Sequence, residues 1–239
     1  MDLLQDFVPD ARTVAILVPA TAIYTFLAAS LAGWLRITRG VRAPYTRKIF
    51  HLCIFTVAVL VHLAFDTPGV AVYGVVVAAA VLYATMRGDG FPFYEAMARP
   101  TDAPRRTLFI LVPLVTTAVG GVLDNVLFGD FAMVGYLVAG WGDAVGEPVG
   151  TRWGRHRYRV PSLAGVPATR SLEGSSAVFL LGSLAATAVL LAWGHDTATA
   201  LTVGAACGFA GALTEAISTH GLDNLTVQVA ASAVAWWLL

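Results

Sequence analysis

The chain is poor in charged residues and in lysine. Charged residues make up 13% of its 239 residues, whereas 57% are hydrophobic and the mean hydropathy is +0.73. Soluble globular proteins carry about 25% charged residues, so this composition excludes a soluble domain and predicts an integral membrane protein. Lys48 is the only lysine, and it follows Arg47 rather than a glycine. A Walker-type phosphate-binding loop is therefore excluded as well.

Cysteine and amino-terminal basic residues are also scarce. Cys53 and Cys207 both lie in apolar runs, where a small buried hydrophobic residue is expected rather than a disulfide or a metal ligand. The first ten residues contain three aspartates and no basic residue, so they lack the positive region of a cleaved signal peptide. We therefore expect the first apolar segment, residues 13–35, to be retained as an anchor helix.

Long apolar runs fill most of the chain. About 20 helical residues cross a hydrocarbon core of about 30 Å, and by this measure the chain divides into eight candidate spans. Their predicted limits are residues 13–35, 48–65, 68–86, 107–123, 129–149, 174–193, 198–218 and 223–239. Some of these spans are short, which leaves seven crossings open. We predict an all-α polytopic bundle of seven to eight transmembrane helices, folded as a single domain over residues 1–239.

Basic residues are distributed unevenly among the predicted loops. Fourteen of the fifteen lysines and arginines fall on one side of an eight-span bundle, and Arg12 falls on the other side. The loops on the side of Arg12 contain acidic residues, namely Asp66, Asp124, Asp130 and Asp196. Because short basic loops stay in the cytoplasm far more often than not, the sequence predicts a cytoplasmic basic face with both termini outside.

Residues 141–176 interrupt the apolar pattern with glycines, carboxylates and five arginines. Asp143 and Glu147 are four residues apart and share a helix face. A bare carboxylate within the membrane is costly, so a cation should compensate them, either arginine or a divalent metal. Beside them glycines recur every fourth residue, which permits close approach of another helix or of a phosphate chain. The stretch is therefore our candidate for a metal and phosphate site.

Other ionisable residues are predicted at the same cytoplasmic level. Glu173 begins the sixth span, whose amino-terminal amides offer an anion site. Glu215 ends the seventh span, where the helix dipole disfavours a carboxylate unless it is paired, and Asp223 begins the eighth. His51 lies one turn into the second span, where an ionisable group is a functional candidate. We expect these residues to converge on one layer, whereas a transporter would more often hold its charges near the midplane.

Three separated motifs carry a family resemblance. They are RKIFH at 47–51, GDAVGEPVGTRWG followed by RSLEGS within 142–175, and Glu215 with GLDNLTV at 221–227. Together they resemble the CTP-dependent polyprenol kinases, a family that includes dolichol kinase and phytol kinase. The resemblance places a kinase-like core at about residues 40–239, behind the anchor helix. Two positions depart from the family pattern: Gly146 replaces a small alanine, and Thr169 with Arg170 replaces a lysine pair.

The resemblance implies transfer of the terminal phosphate of CTP to the hydroxyl of a long-chain isoprenoid alcohol in the cytoplasmic leaflet. It implies Asp143 and Glu173, together with Glu147, as ligands of Mg²⁺. Glu215, Asp223 or His51 would orient or deprotonate the alcohol. Four arginines are assigned to the triphosphate: Arg152, Arg155, Arg157 and Arg170. The matched motifs add further nucleotide contacts, namely Arg47, Lys48, Gly146, Gly150, Gly174 and Ser175.

Two functions from other classes stay open. A cytidylyltransferase acting on a lipid phosphate would use the same nucleotide, metal and membrane depth, but it would leave CMP on the lipid. A non-enzymatic lipid transporter would use the charged layer as a gate. The expected partners are the bilayer, the alcohol and a nucleoside triphosphate, with no nucleic acid. The chain length of the alcohol and the oligomeric state are left open by the sequence.

Overall fold

The computed structural model describes residues 5–219 and 221–239, and this part of the chain is mainly helical. The predicted position of the amino terminus falls on residues 1–4, which lie outside the described residues. The helices, in chain order, are α1 (Ala11–Ile37), α2 (Ala43–Arg87), α3 (Pro92–Met97), α4 (Leu108–Phe128), α5 (Ala132–Leu137), α6 (Asp143–Trp153), α7 (Leu172–Ala192), α8 (Thr197–Ile217) and α9 (Asp223–Leu238). Two strands, β1 (Arg157–Leu163) and β2 (Val166–Ser171), lie between α6 and α7.

Five helical segments of the described chain are long and apolar enough to cross a membrane, which indicates a membrane protein. They are Ala11–Ile37, Ala43–Arg87, Leu108–Trp153, Leu172–Ala192 and Thr197–Ile217. This finding does not confirm the predicted count of seven to eight crossings. Two of the five segments contain 45 and 46 residues, and a helix of that length would extend roughly twice the thickness of a hydrocarbon core of about 30 Å.

Both long segments are interrupted near a boundary between predicted spans. In α2 the backbone of Asp66 is not helical, with φ 51° and ψ −160°. The segment Leu108–Trp153 contains a 3-10 turn at Gly129–Phe131 and a π-helical turn at Val138–Gly142. Asp124 lies inside α4 and is fully buried, so its predicted place in an outer loop is wrong. The apolar runs were recognised from composition, but composition does not show whether Asp124 lies before or after the end of its helix.

The first of two compact units extends to Leu114 and contains α1, α2 and α3, which pack on one another around an apolar core. In this core Phe50 of α2 meets Phe93 of α3 edge to face, with ring centroids 4.7 Å apart. The hydroxyl of Tyr24 in α1 donates to the carbonyl oxygen of Cys53 in α2 at 3.0 Å. Cys53 is a free cysteine that packs beside this core, in agreement with the reading of its apolar surroundings.

The loop after α3 is fixed to that helix by an ion-pair network. Arg106 donates to Glu95 at 2.6 Å and to Asp89 at 2.7 Å. Burial raises the pKa of Glu95, but hydrogen bonds from Arg106 and from the Gly90 amide lower it by more, so the net pKa lies below its ordinary value. Glu95 therefore stays ionised over the physiological range and keeps the pair with Arg106.

The second compact unit begins at Val115, and its helices approach closely where glycines face them. Helix α7 packs along both α6 and α8, and α9 packs on α5 and α8. A Cβ added to Gly208 of α8 would lie 2.2 Å from the Ser183 hydroxyl oxygen and 2.4 Å from the Ser183 amide nitrogen of α7. A larger residue at Gly208 would therefore force these two helices apart.

The segment between α6 and α7 is a β-hairpin, so the fold is not purely α-helical and this part of the fold prediction is wrong. Strands β1 and β2 pair antiparallel from Arg157 opposite Ser171 to Leu163 opposite Val166. The register shifts between Val160 and Leu163, which places one extra residue in β1 as in a bulge. Backbone pairing gives this polar segment partners for its amides and carbonyls, which a loop of the same length would have to leave to water.

The turn of the hairpin places Ala164, which is not a glycine, in the left-handed region of backbone conformation. Ala164 has φ 53° and Gly165 has φ 75°, and two residues of positive φ are the requirement of a two-residue turn of type I′. Glycine adopts this region without a steric penalty, whereas alanine is disfavoured there by about 1 kcal/mol.

Ala164→Gly should therefore stabilise the hairpin. We expect up to about fivefold slower hydrogen exchange of the paired strand amides, since about 1 kcal/mol corresponds to a factor of about five. Ala168→Gly, in an ordinary strand position, is the matched control and should speed exchange because glycine weakens a strand. Unchanged or faster exchange in Ala164→Gly would contradict the turn geometry.

Candidate active site

Arg170 at the end of β2 joins two buried carboxylates from different helices. It forms an ion pair with Glu215 of α8, and its Nη2 donates to the Oδ2 of Asp223 of α9 at 2.9 Å. Nη2 also lies 3.3 Å from the carbonyl oxygen of Ser218. Glu215 and Asp223 are 6% and 5% exposed. We call Arg170, Glu215 and Asp223 the arginine cluster.

The second carboxylate oxygen of Asp223 is satisfied by backbone amides. Its Oδ1 accepts from the amides of Gly221 at 3.1 Å and Asn224 at 3.0 Å. Asp223 is the first residue of α9, whose N-cap position is Leu222, so its side chain does not cap the helix but joins the helix start to Arg170. One guanidinium therefore serves two buried carboxylates in the arginine cluster.

The hairpin presents two different faces because side chains alternate along a strand. Tyr158, Val160 and Arg170 belong to the face that is buried or half-buried, and Tyr158 pairs with Arg170 across the ladder. Arg157 and Arg159 lie on the exposed face. The five arginines that the sequence treated as one basic loop are therefore divided. Arg170 contacts carboxylates, whereas the exposed arginines are available to an anionic ligand.

A chain of hydroxyl groups connects the hairpin to the arginine cluster. The hydroxyl of Tyr158 and that of Ser175 in α7 are 2.7 Å apart. The Ser175 hydroxyl donates in turn to the Oε2 of Glu215 at 3.4 Å. Ser175 was predicted as a nucleotide contact, and in the structure its hydroxyl faces Tyr158 and Glu215. The hairpin is thus attached to α7 and α8 at the level of the buried carboxylates.

The amino terminus of α7 has protein acceptors for two of its first amides. The Ser171 hydroxyl caps the helix by accepting from the Gly174 amide at 3.1 Å, and the Leu172 amide donates to the carbonyl oxygen of His156 at 3.0 Å. Glu173 accepts from the Nδ1 of His156 at 2.8 Å. The helix terminus predicted as an open anion site is therefore partly used by the protein itself.

Asp143 and Glu147 occupy successive turns of α6, as their spacing predicted. Asp143 is buried with 5% exposure and follows directly on the π-helical turn, while Glu147 is half-buried. Turns of this kind are frequent at functional sites. Among the residues that the structure describes, no three His, Cys, Asp or Glu side chains form a group that could hold a metal ion. A metal here would need oxygen ligands from another source, such as substrate phosphates.

The regularly spaced glycines of α6 lie against the start of α7. A Cβ on Gly146 would lie 2.5 Å from a Val178 side-chain carbon, and one on Gly174 would lie 2.9 Å from the Gly146 carbonyl oxygen. A Cβ on Gly150 would lie 3.0 Å from the Ser171 hydroxyl oxygen. Of the two explanations left open by the sequence, helix packing accounts for these contacts. Their assignment to the nucleotide stays a prediction.

The remaining predicted residues have separate surroundings. Arg152 lies over the ring of Trp153, and Arg155 is exposed between α6 and β1. Arg47, Lys48 and His51 belong to the first compact unit. There Lys48 is buried, and the His51 ring lies 4.5 Å from that of Phe55. Their participation in the same site stays a prediction.

Tyr158 and His156 are the site residues that the sequence analysis missed. Neither stands out in a segment interpreted as an arginine loop. The alternation of arginine with Tyr158 and Val160 from Arg157 onwards, followed by an Ala-Gly pair, is the sequence signal that would have indicated a hairpin. With β1 recognised, Tyr158 falls opposite Arg170 and becomes a candidate.

The fold and site define a helical membrane protein with buried carboxylates around an arginine next to an exposed basic hairpin. The chain is 34% identical to the phytol kinase of Synechocystis sp. (strain ATCC 27184 / PCC 6803 / Kazusa) over 196 residues, which is 81% of this chain and 79% of that protein. The chain belongs to the phytol kinase family. No protein-family profile and no solved structure matches it.

Removing the cation of the arginine cluster should destabilise the protein. Arg170→Met leaves Glu215 and Asp223 buried without their arginine, and breaking a buried ion pair in this way costs about 3–5 kcal/mol. We expect a clear fall in the unfolding temperature in detergent. Arg157→Met, on the exposed face of the same hairpin, is the matched control and should leave it nearly unchanged.

The triple variant Arg170→Met, Glu215→Gln, Asp223→Asn should recover much of the stability lost in Arg170→Met, because it removes the charges together. Equal unfolding temperatures for wild type and Arg170→Met would show that the ion pairs are not important for the fold.

Proposed function

We propose that the protein transfers the terminal phosphoryl group of CTP to the hydroxyl of a long-chain isoprenoid alcohol of the phytol, geranylgeraniol or polyprenol type. The observation that best supports this proposal is the 34% identity to a phytol kinase over most of both chains. In the reaction the bond between the β-γ bridging oxygen and the γ-phosphorus breaks, and the alcohol oxygen forms a new bond to that phosphorus. CDP leaves and the hydroxyl proton is released. The arrangement of basic loops supports a site on the cytoplasmic face, with the alcohol entering from the bilayer.

Phosphoryl transfer depends mainly on positioning and on neutralisation of phosphate charge. Arg152, Arg155 and Arg157 are exposed, and in the proposed function they bind the triphosphate. Arg170 has another role, because its guanidinium already contacts Glu215 and Asp223. It positions these two carboxylates, which orient the alcohol in the proposed reaction. In the proposed function five further residues contact the nucleotide, namely Gly146, Gly150, Gly174, Arg47 and Lys48. His51 is a further candidate to orient the alcohol.

The carboxylates of α6 fit a magnesium ion that is shared with a nucleotide. Mg²⁺ is usually held by one or two carboxylates together with phosphate oxygens and water, so a closed cage of protein ligands is not required. Asp143 and Glu147 supply two such oxygen donors on one helix face, and Glu173 is a third candidate at the start of α7. The ion would neutralise charge on the phosphate oxygens. Mg²⁺ prefers oxygen ligands, and these three carboxylates provide them.

Removal of single carboxylate charges tests the metal assignment. Asp143→Asn and Glu173→Gln should each lower turnover at least a hundredfold while the protein remains in the membrane, because each loses a metal ligand. Asp89→Asn is a suitable control, since Asp89 is exposed and pairs with Arg106. Turnover is measured in lipid vesicles with phytol and CTP over a range of Mg²⁺ concentrations. Wild-type turnover in either variant would remove that residue from the metal site.

The position of the transferred label distinguishes the candidate functions. Purified protein is incubated with CTP labelled at either the α or the γ phosphate, with a panel of prenols and lipid phosphates. A kinase transfers label from the γ position to a prenol, and this is the expected result. Transfer from the α position to a lipid phosphate would instead identify a cytidylyltransferase. Absence of transfer from both nucleotides would favour a transporter. Replacing CTP by ATP in the same assay measures the donor preference.

A further inference from the structure

A second polar cluster lies on α4, α5 and α9, apart from the arginine cluster. Asp124 of α4 and Gln228 and Ser232 of α9 are each 0% exposed. Both carboxylate oxygens of Asp124 and the Ser232 hydroxyl oxygen make no hydrogen bond to any residue that the structure describes. We call these three residues the Asp124 cluster. An ionisable residue in this position within an apolar bundle is a functional candidate.

The oxygens of the Asp124 cluster converge above Gly135 of α5. A Cβ added to Gly135 would lie 2.2 Å from the Ser232 Oγ, 2.6 Å from the Asp124 Oδ2 and 2.6 Å from the Gln228 carbonyl oxygen. Three oxygens from two helices are therefore held close together, and the missing side chain at Gly135 leaves them room. The Ser232 hydroxyl is the one donor among these three oxygens, and its single proton can satisfy only one acceptor.

The helices that pack around Asp124 supply no positive charge. In α4, α5 and α9 the titratable side chains are Asp124, Tyr136 and Asp223, and none of the three helices contains lysine, arginine or histidine. The hydroxyl of Tyr136 is already contacted by the Asn125 side-chain amide. Asp223 belongs to the arginine cluster about 13 Å further along α9. An ionised Asp124 would thus be a buried charge without a counterion, which proteins avoid by neutralising the group.

The cluster is the last of several polar contacts between α4 and α9. The Thr116 hydroxyl donates to the carbonyl oxygen of Gly221 at 2.6 Å, and the Asn224 side chain donates to the Thr117 hydroxyl at 2.8 Å. One turn further, Gln228 donates to the Thr117 carbonyl oxygen at 3.3 Å. The two helices run parallel with these contacts between them. The state of Asp124 therefore influences the packing of the helix that carries Asp223.

We propose that Asp124 is a proton-binding site inside the bundle. Its carboxylate takes a proton from water, and the neutral acid donates a hydrogen bond to the Ser232 Oγ or the Gln228 carbonyl oxygen. The added proton gives the cluster a second donor beside the Ser232 hydroxyl and removes the uncompensated charge of the carboxylate. A proton needs no space beyond that which the oxygens already occupy beside Gly135, whereas a metal ion would have to enter between them. This site does not depend on the proposed kinase activity.

Infrared spectroscopy of the protein in lipid vesicles tests the proposal. At neutral pH the wild type should show a carbonyl band of a protonated carboxylic acid that shifts in D₂O, and Asp124→Asn should lack it. Asp130→Asn, the same change at an exposed residue close by, is the control and should retain the band. Because asparagine resembles a neutral aspartic acid in shape and charge, Asp124→Asn should fold with a similar unfolding temperature. The wild type should lose stability towards alkaline pH, and Asp124→Asn should not.

Three results would overturn the proposal. The first is the absence of a protonated acid band in wild type, and the second is persistence of that band in Asp124→Asn. The third is failure of Asp124→Asn to fold, since a neutral isostere must be tolerated. Unfolding temperatures measured in sodium chloride and in choline chloride test whether a sodium ion, and not a proton, occupies the site. A sodium-dependent stabilisation that Asp124→Asn abolishes would assign the site to a metal ion instead of a proton.

Discussion

The sharing of one arginine between two buried carboxylates constrains the whole second unit. Arg170 is delivered by the hairpin, Glu215 by the end of α8 and Asp223 by the start of α9. Losing Arg170 would leave two buried carboxylates without compensation, which is far more costly than losing a surface pair. The hairpin therefore contributes to the stability of the ends of α8 and α9. Close packing of α6 on α7 through glycines then fixes where the hairpin begins and ends.

The sequence predicted the kind of fold better than its details. High hydropathy and few charges are enough to indicate apolar helices, because an apolar solvent leaves the backbone few alternatives. The hairpin was missed since its strands are short and one exposed face carries arginines, as a loop would. The position of Asp124 was wrong for a different reason. A carboxylate within a helix is expected to be rare, so pattern alone assigned it to the nearest loop.

The membership of the candidate site was easier to predict than the role of each member. Arg170, Ser175, Glu215 and Asp223 were all selected from the sequence, and the structure brings them together. Their partners were not foreseen, because a guanidinium satisfies a carboxylate and a phosphate with the same geometry. Only the alternation along β1 and β2 decides that Arg170 turns towards the carboxylates, while Arg157 turns away. That information depends on strand register, which the arginine spacing does not contain.

Helix α9 carries carboxylate contacts at two levels that are neutralised in different ways. At its amino terminus Asp223 contacts Arg170 and two backbone amides. At the level of Ser232 no basic side chain is present on α4, α5 or α9, and Asp124 can be neutral only by binding a proton. The arginine cluster needs a rigid support. A protonated Asp124 between the parallel helices α4 and α9 provides that support without adding a second buried charge. The polar contacts along α4 thus hold the carboxylate of Asp223 in position from inside the bundle.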